Sequence, residues 1–149
     1  MHRRTFSALA LATPALWLAR PALAREPEIY QEGGIAIDGS DPVGYFTTNG
    51  PVSGDAAFTV KHKGAEWRFA DQGSADAFAA NPSAYEPAFG GYCAWAVSQG
   101  YIAPTVPEAW TIHNDKLYLN FSLSVRRRFE RNLDANIAKA EANWPGVLG

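Results

Sequence analysis

Outside residues 1–24 the side chains able to bind a metal or form a covalent intermediate are few: one thiol, Cys93, and two imidazoles, His62 and His113. A thiolate with two imidazoles is a donor set suited to copper or another soft transition metal. Asp38, Asp41 or a water would complete the shell, because residues 25–149 hold no methionine for an axial position. The same thiol beside either histidine would be a nucleophile with its base. A third use needs no bond making. Asp41 with Tyr45, Tyr92, Trp95, Tyr101 and Trp110, gathered around Cys93, would line a pocket for a small ligand or an exported protein partner.

Each of these readings has a quieter counterpart. A free cysteine packs well as a small apolar side chain and is then inert. Asp38 and Asp41 lie in Asp38-Gly39-Ser40-Asp41-Pro42, where such carboxylates commonly bond their own backbone. The histidines fall at hairpin ends, and aromatics are core in any domain of this size. The ligand spacing is long and irregular, and no local motif fixes a base or an oxyanion hole.

Residues 1–24 are read as an export signal with cleavage near Ala24. Arg3-Arg4-Thr5-Phe6 looks like a twin-arginine start, Ala8 to Leu18 is an apolar run, and Ala22-Leu23-Ala24 is a small-residue site. An ordinary secretory peptide with two arginines is the alternative. The apolar run is shorter than the roughly 20 residues a membrane-spanning helix requires, so no permanent anchor is expected. Residues 25–149 then carry ten basic and fifteen acidic side chains, a net charge of −5. That balance argues against a nucleic-acid backbone as partner. A lone cysteine also leaves no internal disulfide.

The elements that must position these groups follow from pattern and punctuation. Residues 29–37 predict a short strand around Gly33-Gly34. Phe58, Val60 and His62 alternate with Thr59 and Lys61 before Lys63-Gly64, and Glu66-Trp67-Arg68-Phe69 follows, which predicts a β-hairpin. Asp71 or Ser74 caps a helix over 74–80 anchored by Phe78 and ended by Asn81-Pro82. Gly90-Gly91 and Gly100 bracket a helix over 92–99 with Cys93 in its first turn, where a helix start favours the thiolate. Trp110 to His113 and Lys116 to Phe121 flank Asn114-Asp115 as a second hairpin. Ser122 or Ser124 opens one long C-terminal helix whose apolar positions Val125, Phe129, Leu133, Ile137, Ala140 and Trp144 recur at helical spacing.

From Phe58 to Tyr85 the order of strand, Gly64, Trp67-Arg68-Phe69, Phe78, Asn81-Pro82 and Tyr85 resembles the YHS domain, a short module of heavy-metal transporters and exported bacterial proteins. Asp41-Pro42-Val43-Gly44-Tyr45-Phe46, Tyr92-Cys93-Ala94, Trp110 before Lys116-Leu117-Tyr118-Leu119-Asn120, and Ala142-Asn143-Trp144-Pro145 extend the likeness over nearly all of residues 25–149. In the metal-associated members, cysteines follow the aromatic strand and open the next helix. Ala70 and Ser74 stand at those positions here, so the resemblance implies the fold more strongly than the metal.

The expectation is one α+β domain over 25–149. It has a small antiparallel sheet from the two hairpins, packed against short helices and the long C-terminal helix. Its function is expected to be that of a non-catalytic binding module in the periplasm, for a metal ion or a small ligand. The alternatives are an interaction or structural module with a buried Cys93, and a thiol-dependent enzyme.

Overall fold

Residues 25–149 are described by a computed structural model, and the export-signal reading of residues 1–24 lies outside them. The chain begins with two short antiparallel strands, β1 (Gln31–Glu32) and β2 (Ile35–Ala36), turned by Gly33-Gly34. After the Asp38–Pro42 loop comes a single helical turn, α1 (Gly44–Thr47). The first predicted hairpin is β3 (Asp55–His62) and β4 (Ala65–Phe69), with Val60 opposite Trp67 and His62 opposite Ala65. Its turn holds Lys63 and Gly64 at φ 50° and 78°, the pair of positive values that matches the twist of the strands.

Period-two patterning decides which face is buried. Ala65, Trp67 and Phe69 point inward from β4 and are buried, while Glu66 and Arg68 face outward and pair with each other at 3.1 Å. Helix α2 (Gln72–Ala80) lies over that inner face. Asp71 caps it through the Ser74 N–H, and Phe78 stacks at 5.1 Å from Trp67 and 5.2 Å from Phe69. Three buried aromatics meet here at tilted geometry.

The fold class is α+β, but the sheet differs from the expectation. The first sheet has the order β1-β2-β4-β3 and is mixed, because β2 runs parallel to β4 with Ile35 opposite Glu66. The Glu66 N–H donates to the Gly34 carbonyl at 2.8 Å, so the leading hairpin occupies the edge of β4. The second hairpin therefore stands as its own two-stranded sheet. It consists of β5 (Val106–His113) and β6 (Lys116–Asn120), turned by Asn114-Asp115 at positive φ.

Between the hairpins lies α3 (Ala94–Ser98), with Cys93 capping it rather than sitting inside its first turn. The two glycines before it have separate steric reasons. A Cβ on Gly90 would overlap the Glu28 carbonyl, and one on Gly91 would press on the Ile37 side chain. The expected single C-terminal helix is two, α4 (Leu123–Glu130) capped by Ser122 and α5 (Leu133–Asn143). Asn132 leaves helical backbone between them, and the buried Asn136 amide donates to the Phe129 carbonyl at 3.0 Å, satisfying a helix end. Phe129 and Ala140, on either side of the break, both face the core. Among the described residues no helix is long and apolar enough to cross a membrane.

Candidate functional site

Cys93 is fixed from three sides. Its N–H donates to the Ala103 carbonyl at 3.0 Å, its carbonyl accepts from Val97, and its thiol lies against the end of β6. There Sγ donates to Asn120 Oδ1 at 3.5 Å and accepts the Phe121 N–H at 3.3 Å. Asn120 Oδ1 also accepts the Trp95 N–H at 3.0 Å, so one carboxamide oxygen ties the start of α3 to the thiol. The other end of α3 is held by Asn143, whose amide donates to the Val97 and Ser98 carbonyls at 2.8 and 3.3 Å. Burial pushes the Cys93 thiol above its ordinary range, and the N–H groups of Ala96, Phe121 and Trp95 oppose that without overcoming it. The expectation of a thiolate at a helix start gives way to desolvation. Cys93 is a protonated, hydrogen-bonded thiol near neutral pH.

Only 1% of Cys93 is exposed, yet it forms part of the lining of a cavity of about 250 Å3. Trp95 and Ala96 from α3, Tyr101 and Ala103 from the loop after it, and Phe121, Val125 and Arg128 around α4 complete the lining. The rim is unusual. Tyr101, Phe121 and Leu123 are the exposed large hydrophobic residues among those described, each about half open to solvent. Two of the three line this cavity, and Leu123 follows in sequence. Exposed apolar side chains scattered over a surface carry no message, whereas several beside one concavity make it the candidate site.

The other predicted site residues are distributed elsewhere. His62 bonds Glu86 at 2.8 Å and packs edge-on against Phe78, and Glu86 also receives Lys63 at 3.3 Å. His113 bonds the exposed Asp134 at 3.2 Å. Each imidazole thus belongs to its own carboxylate, and Cys93 to Asn120. Among the described residues no group of three or more His, Cys, Asp or Glu side chains could hold a metal ion, so Cys93, His62 and His113 are not brought together.

Asp41 is buried and its carboxylate is fully engaged. Oδ1 accepts the Val43 and Gly44 N–H groups at 2.8 and 3.3 Å, and Oδ2 accepts that of Ala70 at 3.0 Å, joining the loop to the end of β4. Asp38 accepts a hydrogen bond from the Tyr30 hydroxyl at 3.3 Å. Burial raises the Asp38 carboxyl, with Glu32 and Glu108 adding to the effect against the Tyr30 bond.

The aromatic set also divides. Tyr45 is buried, shares a 2.9 Å bond with Ser40, has its hydroxyl pushed up to about 12 by burial, and lies 6.1 Å from Trp110. The Arg126 guanidinium covers Trp110 at 5.4 Å and bonds Glu130 at 2.8 Å. Burial works against the Glu130 charge, but hydrogen bonds from Arg126 and Thr111 and the Arg126 charge hold its carboxyl below the ordinary range. Tyr92 donates to the Pro27 carbonyl at 2.7 Å and packs between Tyr30 and Trp144. Of the residues expected to gather around Cys93, Trp95 and Tyr101 share its cavity, and Asp41, Tyr45, Tyr92 and Trp110 do not.

Sequence reasoning gave no site role to Asn120, Val125 or Arg128. Asn120 carries a signal in retrospect. It is a polar residue of low strand propensity that ends the buried run Leu117-Tyr118-Leu119, two positions before the capping Ser122. Its Nδ2 is buried without a hydrogen-bond partner among the described residues. Val125 and Arg128 show only as helical periodicity.

Comparison with protein-family models, with curated proteins and with solved structures found no match to this chain.

Proposed function

We propose that this protein is a non-catalytic binding module whose ligand places an apolar group in the Cys93 cavity, with its anionic end beside Arg128. The observation that carries the reading is the coincidence of an open apolar rim, Tyr101 and Phe121, with a concavity already formed over a buried thiol. A preformed pocket costs little ordering on binding, and aromatic walls supply contact area from side chains with few rotamers. The raised thiol, bonded to Asn120 and not to a histidine, supports binding over nucleophilic catalysis. The separate pairing of His62 and His113 supports an organic ligand over a metal ion such as copper. In keeping with the resemblance, the module is of the exported YHS type and acts in the periplasm after removal of residues 1–24.

The test uses anilinonaphthalene sulfonate, an apolar ring system with one negative group. The full chain should bind it saturably at one site with enhanced fluorescence. Replacing Tyr101 and Phe121 together by alanine should weaken that binding by about tenfold, equivalent to about 1.4 kcal/mol, with the melting curve little changed. Undiminished binding by the double variant would remove the cavity as the site.

A further inference from the structure

Four of the ten basic residues in 25–149 fall within six positions, Arg126, Arg127, Arg128 and Arg131. Arg126 is committed to Glu130 and Trp110. Arg127, Arg128 and Arg131 are exposed and have no ion-pair partner among the described residues. Arg127 and Arg128 also lie in the last turn of α4, where positive charge complements the helix dipole. Arg131 is the C-cap of the same helix and shares that benefit, but the benefit does not account for the charge contrast with the rest of the domain. Outside residues 123–131 there are six basic against fourteen acidic side chains.

Helical spacing joins this charge to the apolar rim. Leu123, Arg127 and Arg131 follow one another at i, i+4 and i+8, so the exposed leucine and two arginines form one ridge. Arg128 stands three residues after Val125, and both line the Cys93 cavity. The cationic strip and the cavity rim are therefore one continuous surface.

Resting on the binding reading above, we infer that the partner at this surface is an acidic polypeptide segment. One of its apolar side chains enters the Cys93 cavity while its carboxylates meet Arg127, Arg128 and Arg131. The charge pattern orients such a partner, because the remainder of the domain is net acidic. Guanidinium groups suit the recognition, since each can grip a carboxylate through two N–H donors. A concavity sized for a side chain favours a peptide over a flat lipid surface.

The experiment follows the anisotropy of a fluorescein-labelled peptide with a central leucine–phenylalanine pair flanked by glutamates, mixed with the full chain. Binding should weaken as salt rises and fall at least about tenfold in the Arg127→Glu, Arg128→Glu, Arg131→Glu variant. A peptide with glutamines for glutamates, and the Tyr101→Ala, Phe121→Ala variant, should each bind about tenfold more weakly than the parent pair. If the peptide fails while anilinonaphthalene sulfonate still binds, this inference falls and the cavity reading stands. If both fail, the cavity reading falls with it. Charge-dependent capture of phosphatidylglycerol vesicles without peptide binding would replace the polypeptide by a lipid surface. Arginine-dependent dimerisation without peptide binding would replace it by a second copy of this chain.

Discussion

The two hairpins are built alike and used differently. In each, a histidine closes the first strand, a two-residue turn at positive φ follows, and the histidine faces the first residue of the return strand: His62 opposite Ala65, and His113 opposite Lys116. Local sequence produces the same local geometry twice. The surroundings then diverge. The first hairpin turns Trp67 and Phe69 under α2, and His62 is drawn against Phe78 and Glu86. The second runs from His113, whose partner Asp134 is exposed, to Asn120 and Phe121, which hydrogen-bond the Cys93 thiol. Both hairpins bury apolar strand residues, Trp67 and Phe69 in the first and Leu117 to Leu119 in the second, but only the second leads at its end into the lining of the Cys93 cavity. A residue's place in a motif sets its geometry, but its neighbours set its role.

Core and rim should respond very differently to truncation. Phe78→Ala removes the ring shared by Trp67, Phe69 and His62 from a fully buried position. Denaturant unfolding should show a loss of about 3–5 kcal/mol. Phe121→Ala, at the other hairpin's end and 52% exposed, should stay within about 0.5 kcal/mol of the parent protein. A comparable loss at both positions would erase the distinction between core and rim.

A second difference should appear with pH. The Cys93 thiol is raised by burial, so the folded chain keeps a proton that the unfolded chain releases. Its contribution is fully present below the unfolded value of about 8.5 and is lost as pH rises through the folded value, at up to about 1.4 kcal/mol per pH unit. Unfolding measured between about pH 7 and 9.5 should show a steeper alkaline decline in the parent than in Cys93→Ala. Equal slopes would mean that the thiol is already solvated.

The histidines give the smallest and most direct contrast. His62→Ala should cost about 1 kcal/mol, because it removes an aromatic contact and leaves the half-buried Glu86 with only Lys63. His113→Ala should cost no more than about 0.5 kcal/mol, since its partner Asp134 is 92% exposed. Reversed magnitudes would show that the second hairpin, not the first, is anchored through its histidine.

Much was already determined by sequence alone. Period-two alternation gave the β3–β4 hairpin, turn chemistry gave both hairpin reversals, and the choices Asp71 or Ser74 and Ser122 or Ser124 marked two helix starts, of which Asp71 and Ser122 are the caps. These are local effects, written in residues a few positions apart. Tertiary structure decided the rest. It split the C-terminal helix at Asn132, placed the leading hairpin on the edge of β4, and held the thiol protonated by burying it beneath Asn120. It also sent Cys93, His62 and His113 to different partners and gathered Tyr101, Phe121, Val125 and Arg128 around one cavity. Asn120 lies 27 positions from Cys93, and their meeting depends on how α3 seats against the second hairpin. Neither segment specifies that packing by itself, because burial and hydrogen-bond partners belong to the assembled chain.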